Sequence, residues 1–257
     1  MRLQGAPSVR RRAATAAAVG VVVYVLVDVV LQLLPPHYSA VSDAESNLAV
    51  GPFGWIMNLN FLGRAVLTLC AVVAIVRTGP SSSLRRAGTG LMMVAGACSA
   101  ALAVLPTDVN AGGGIQSHTI LGAWHLGVAA FGFLVALAAF ALLTLWVRGS
   151  ADLKASYPAA LALTAVAAAG LVSLGVAAAA APGMIGVAER ICLAGILGWA
   201  LVVSLAIRRL RQPAAAAGTG LGTLSSLASS SHVEMRVSGE REIVSIPSSA
   251  SHRAKSG

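Results

Sequence analysis

Six apolar segments dominate the chain, at residues 14–34, 53–75, 89–105, 120–147, 158–181 and 187–207. Each approaches or exceeds the ~20 residues that a helix needs to cross the hydrocarbon of a bilayer. Lipid cannot satisfy a free backbone amide, so segments of this kind must be helical. Composition agrees: 57% of the 257 residues are hydrophobic and only 11% charged, with a mean hydropathy of +0.81. A soluble domain would be about a quarter charged. The sequence predicts an all-α, polytopic integral membrane protein, a six-transmembrane-helix bundle over residues 14–210. A basic N-terminus (1–13) precedes it and a tail (211–257) follows. Segment 120–147 is long enough to tilt or to project past the headgroups.

The arginines orient this bundle. Arg2, Arg10, Arg11 and Arg12 precede the first segment, and Arg77, Arg85 and Arg86 separate the second from the third. Arg148 and Lys154 separate the fourth from the fifth, and Arg208, Arg209 and Arg211 follow the sixth. The three alternate loops hold no Lys or Arg; Arg190 lies just inside the sixth segment. Positive charge marks the cytoplasmic side, so the sequence predicts a multi-pass protein of the cell (plasma) membrane with both termini cytoplasmic. The first segment is too long for an ordinary signal-peptide core and is interrupted by Tyr24 and Asp28, which favours a retained span.

The net charge of +9 does not indicate a nucleic-acid partner. The arginines are spread over loop ends and form no stripe with interleaved aromatics; anionic membrane lipids are the expected partner. Cys70, Cys98 and Cys192 fall inside spans, are odd in number, and show no disulfide or metal spacing. They read as small apolar residues. The Ala/Gly/Ser-rich tail reads as a disordered cytoplasmic extension, with a weak hairpin signal around Ser238-Gly239 that could add strands to a cytoplasmic partner. Small residues in "GLMMVAGACSAALA" suit close packing in lipid and leave room for a homodimer. The excess of arginine over lysine and the many alanines suggest a GC-rich bacterial genome.

The outward stretch "HYSAVSDAESNLAVGPFGW" (37–55) carries its own structural signals. Ser42 and Glu45 have the spacing of a capping box, and Gly51-Pro52 supplies a stop, so a short helix is expected over 43–50. Ala44 and Leu48 would point down and Asp43 and Asn47 to water, making a lid, with Trp55 at headgroup depth. In the second outward loop, "LPTDVNAGGGIQSHT", Asp108 reads as a turn or capping residue, and Gly112, Gly113 and Gly114 as a flexible run.

Polar residues inside the spans are few and patterned. Tyr24, Asp28 and Gln32 form one stripe at i, i+4 and i+8, and Asn60 and Arg64 are likewise four apart, with Asn58 nearby. Arg64 lies about 16 Å into its segment, near the midplane. A charge there costs at least ~2.5–3.5 kcal/mol unless it faces the bundle and is paired. Asp28 is the expected counter-ion. His118 and His125, seven apart, are expected on one face of the fourth helix, and Glu189 and Arg190 open the sixth. An alternative has His37, Asp108, His118 and His125 converging on a zinc ion with an open position, whose bound water could attack an ester or amide.

The motifs "HYS…SDAESNLAVGPFGW", "LPTD" and "GAWH" resemble those of a domain-of-unknown-function family of six-span prokaryotic membrane proteins, the nine-nine-eight family. The resemblance covers about residues 14–210 and implies the six-span architecture. On matching positions it singles out His37, Ser39, Ser42, Gly51, Asp108 and His125. A more distant resemblance is to alkaline ceramidases and adiponectin-type receptors, seven-span bundles with Ser, Asp and three His around zinc. This chain has six segments and no histidine in the last.

The leading expectation is an outward-facing polar pocket that binds a lipid headgroup or small molecule. Its floor would be Arg64 and Asp28, its wall His118, His125 and Asp108, and its lid residues 42–50; His37, Asn60 and Glu189 lie in reach. A metal-dependent hydrolase of the outer leaflet using the same residues is the first alternative. A non-catalytic scaffold acting through its tail is the second. A transporter is less favoured, since no inverted repeat or pair of broken helices is evident.

Overall fold

The computed structural model describes residues 6–35, 38–109 and 115–210. His37, the run Gly112–Gly114 and the tail with its hairpin signal lie outside them. Six long helices carry the fold: α1 (Ala6–Leu31), α2 (Gly54–Val76), α3 (Ser83–Leu102), α4 (Ile120–Gly149), α5 (Tyr157–Ala180) and α6 (Ile185–Arg209). Short 3₁₀ turns lie at Glu45–Ala49, Lys154–Ser156 and Pro182–Met184. No strand occurs among the described residues. Each long helix packs against the next, and α6 returns to α1, closing a ring.

Five of the six helices are long and apolar enough to cross a membrane by length and composition: those within Val9–Leu31, Gly54–Val76, Ile120–Gly149, Lys154–Ala180 and Pro182–Arg209. The chain is accordingly a multi-pass, all-helical membrane protein. The third helix begins at Ser83, six residues before the expected 89, because Ser82 caps it by accepting the Arg85 N–H. Arg85 then sits inside the first turn of α3, buried, and donates to the carbonyls of Thr78 and Gly79 just beyond the end of α2. Its charge lowers the hydropathy of the segment while doing local work on the turn, where Gly79 takes φ +62°.

The faces of the bundle follow lipid logic. Val19, Val22, Val23 and Leu26 of α1 point outward, whereas Ala14, Ala17, Ala18 and Val21 are buried. Small residues bring the backbones together. A Cβ at Gly170 of α5 would lie 2.2 Å from the Cys192 backbone nitrogen, and one at Gly195 of α6 would lie 2.3 Å from that of Ala167. Polar side chains at the centre of the core are paired: the Trp199 indole donates to Thr144 Oγ1 at 2.8 Å, Thr144 meets Thr164 at 3.0 Å, and beside them the Phe140 and Trp199 rings stack at 4.5 Å. These contacts join α4, α5 and α6. The loosest of the sequential helix pairs is α4–α5.

The two ends of the ring differ chemically. One carries Arg10, Arg11, Arg12, Arg77, Arg85, Arg86, Arg148, Lys154, Arg208 and Arg209; the other carries Asp28, Asp43, Glu45, Asp108 and Glu189, with Arg190. Trp55 and Trp124, 61% and 63% exposed, stand near the starts of α2 and α4 at the acidic end. That is the position of an interfacial aromatic belt.

Candidate functional site

The acidic end is built around Arg64, ten residues past Gly54, the first residue of the 23-residue α2. Its Nε donates to Ser99 Oγ at 2.8 Å, and its Nη1 to Tyr24 Oη at 3.3 Å. Ser99 in turn donates to the Phe61 carbonyl at 2.8 Å. The guanidinium also stands 5.5 Å and 5.3 Å from the ring centroids of Tyr24 and Phe61, within cation–π reach. Its carboxylate partner is Glu45, at 3.8 Å.

That pairing corrects the expectation that Asp28 neutralises Arg64. Asp28 instead accepts a 2.6 Å hydrogen bond from Gln32 on its own helix. Glu45 wins because the segment after α1 folds back over the bundle and inserts it, 2% exposed, between α1 and α2. There it accepts the Tyr24 hydroxyl at 2.7 Å, and its backbone N–H donates to Glu189 of α6 at 2.6 Å. The capping box is therefore not formed. Ala44 occupies the N-cap position without a side-chain bond, and the expected helix over 43–50 is a five-residue 3₁₀ turn. Ser42 donates its N–H to Ser39 Oγ, while Asp43 accepts the Ser39 N–H at 2.7 Å. Ala44 and Leu48 are buried as expected, and Gly51 takes φ +86° at the stop.

The rest of this segment is clamped by Arg190. Its Nη1 donates to the carbonyls of Ala40 at 3.0 Å, Asp43 at 3.3 Å and Gly186 at 3.0 Å, and its Nη2 to the Tyr38 hydroxyl. The Val187 N–H donates to the Val41 carbonyl at 3.1 Å. Gly186 allows this approach, since a Cβ there would come within 2.5 Å of the Ala40 carbonyl oxygen. Residues 38–50 thus form a lid with its own hydrogen bonds to α1 and α6.

The second loop is closed by Asp108. Its carboxylate accepts the backbone N–H groups of His118 at 2.7 Å and Thr119 at 2.8 Å, and the Thr119 hydroxyl at 3.0 Å. These bonds, that of Thr119 first, hold its pKa below the usual carboxylate value. Thr119 caps α4 through the Gly122 N–H. His118 therefore precedes the helix and does not share a helical face with His125, another departure from expectation. His125 is 3% exposed, and its Nδ1 bonds the Leu105 carbonyl at 2.7 Å. Because a carbonyl only accepts, Nδ1 carries the proton and Nε2 holds the lone pair. Among the described residues Nε2 has no partner.

Two cavities meet here. An inner one of about 80 Å³ extends from Arg64, Glu45 and Ser99 toward Met92 and Phe140. A larger cleft of about 330 Å³ lies between α4 and α5, under Ser46, Asn47, Thr107, Asp108, Gln116 and Ser117. Ser46, His125, Ala129, Phe133 and Glu189 line both, so His125 and Glu189 stand on the partition. Of the residues expected at a pocket, Arg64, Asp108, His125 and Glu189 line one or both. Asp28, Ser42, Asn60 and His118 line neither of these two. Asn60 is buried and donates to the Tyr24 carbonyl at 3.2 Å. No group of three or more His, Cys, Asp or Glu arranged for a metal occurs among the described residues, of which His37 is not one. Sequence reasoning missed Ser99, Ser46 and the role of Glu45. The one signal for Glu45 was the need of a mid-span arginine for a carboxylate with reach.

Burial pushes the Glu45 carboxyl up to about 8, against the opposing effects of Arg64 and the Tyr24 hydroxyl. A carboxyl whose folded pKa exceeds its unfolded value of 4.5 binds its proton more tightly in the fold. Its contribution to stability is full below that value and is lost as pH rises toward 8. The melting temperature in detergent is expected to fall across this window. Glu45→Gln, which keeps an acceptor for Tyr24 without a titrating proton, is expected to flatten part of that slope. Identical slopes in the two proteins would sink the assignment.

No curated protein and no solved structure matches the chain. A family model described as a protein of unknown function, DUF998, matches residues 18–206, so the chain belongs to the DUF998 family.

Proposed function

We propose that this is a six-span plasma-membrane protein, both termini cytoplasmic, that binds a lipid headgroup or small molecule in a pocket at its outer end. The topology is supported by the loops and helix ends on one side of the ring carrying most of the Lys and Arg, which is the pattern of cytoplasmic loops. The third helix has 20 residues, about 30 Å of rise, which matches the hydrocarbon thickness. Its place in the ring between α2 and α4 also calls for it to cross with them.

The observation that carries the binding reading is the α4–α5 cleft. Its volume falls within the range of small-ligand pockets, about 300–1,000 Å³. Leu126, Phe133, Leu134, Leu171 and Leu174 make its walls apolar, while hydroxyl, amide and carboxylate groups gather under the lid. An amphiphile has that same division. The cleft lies where the helix ring packs least tightly, so entry would require separating only α4 and α5.

In a background with Cys70, Cys98 and Cys192 replaced by alanine, Asn47→Cys is expected to react with a membrane-impermeant maleimide on intact cells, and Arg77→Cys is not. The reverse pattern would invert the topology. Gly175 lines the cleft with open space around a Cβ, so Gly175→Phe fills it without a clash at the backbone. Mass spectrometry of protein purified in mild detergent is expected to find an amphiphile retained by the wild type and lost from Gly175→Phe. Equal retention by both would remove the cleft as the binding site.

A further inference from the structure

We infer that the α4–α5 cleft takes a single-chain amphiphile carrying an ammonium group, with the ammonium against Glu189 and the chain along Leu126, Leu134 and Leu171. This rests on the pocket reading above and adds the chemistry of its ligand.

Glu189 is the reason. It is 9% exposed and sits on the partition between the two cavities. One carboxylate oxygen, Oε2, accepts the Glu45 N–H at 2.6 Å, which fixes the side chain in place. The other, Oε1, meets no donor among the described residues. The ion pair among those residues is Arg64–Glu45, and Glu189 takes no part in it. Neither nearby guanidinium hydrogen-bonds to it: Arg64 turns to Ser99, Tyr24 and Glu45, and Arg190 to the lid carbonyls and Tyr38, with its Nε left unpartnered. Arg190 and Arg64 act on this carboxylate through space without an ion-pair contact, and a ligand that brings a cation into direct contact with it offsets more of the cost of its burial.

The neighbouring groups point the same way. His125 Nε2 is an unpartnered acceptor, 3% exposed as a residue, on the same partition. Ser46, Asn47, Thr107 and Ser117 offer hydroxyl and amide groups to an N–H donor. No Lys or Arg lines the cleft, and Arg64 lines only the inner cavity. A carboxylate or phosphate in the cleft would meet Asp108 and Glu189 with no cation to offset them. The geometry therefore selects against anionic headgroups and for a cationic donor.

The test uses the full chain in phosphatidylcholine nanodiscs and three probes of equal length, dodecylammonium, dodecanol and dodecanoate. Wild type is expected to bind dodecylammonium saturably, one per chain. Glu189→Gln, which still offers an oxygen to the Glu45 N–H, is expected to weaken that binding by about tenfold or more, equivalent to about 1.4 kcal/mol. Gly175→Phe is expected to abolish it. Dodecanol should bind more weakly and equally to wild type and Glu189→Gln. If all three probes bind alike, are blocked by Gly175→Phe and ignore Glu189→Gln, the ammonium assignment is overturned and the pocket stands. If no probe binds saturably, or Gly175→Phe changes nothing, both fail together.

Discussion

An arginine halfway along a membrane-length helix is the constraint from which the acidic end of this protein follows. A charge at that depth is costly unless it is paired, so the bundle must supply partners for Arg64. Ser99 of α3 and Tyr24 of α1 take its donors. The nearest carboxyl, 3.8 Å from the guanidinium, is that of Glu45, which belongs to none of the six long helices. To deliver that side chain, the connection between α1 and α2 has to fold inward. The lid is thus held over the bundle by a demand for polar partners that originates beneath it.

Once Glu45 is inside, its backbone N–H also needs an acceptor, and Glu189 of α6 provides it. The α6 helix carries the next residue, Arg190, which binds the outer part of the same lid through two carbonyls and a phenol. Lid, α1, α2, α3 and α6 become one hydrogen-bonded unit at the acidic end. The α4 and α5 helices join α6 through Thr144, Thr164 and Trp199, and between them toward the lid the ring stays loose enough to enclose a cleft. Rigidity on one side and a gap on the other place a buried carboxylate and an unpartnered imidazole nitrogen at the cleft's inner wall.

Much of the architecture was legible because lipid makes each long apolar run a helix and arginine marks one end of each pair. Helix positions for α2, α4, α5 and α6 agree with the apolar segments to within a few residues. The start of α3 was not legible from hydropathy, since Arg85 is a buried cap for the α2–α3 turn rather than a solvated loop charge. At the site, Arg64, His125, Asp108 and Glu189 stood out as polar residues in or beside spans. Glu45 did not, because local spacing offered it a capping role with Ser42. Tertiary electrostatics overrode that local preference. His118 was misplaced for a related reason: Asp108 and Thr119 start α4 two residues later than the histidine spacing required.

Hydrogen exchange over residues 38–50 tests most directly whether Arg64 holds the lid. In the wild type the lid amides should exchange slowly, in the range of the helix ends, since that of Glu45 is bonded to a buried carboxylate. Arg64→Met should speed exchange across the lid while α4, α5 and α6 keep their protection. Lid amides that exchange freely in the wild type, or equally in both proteins, would contradict the account.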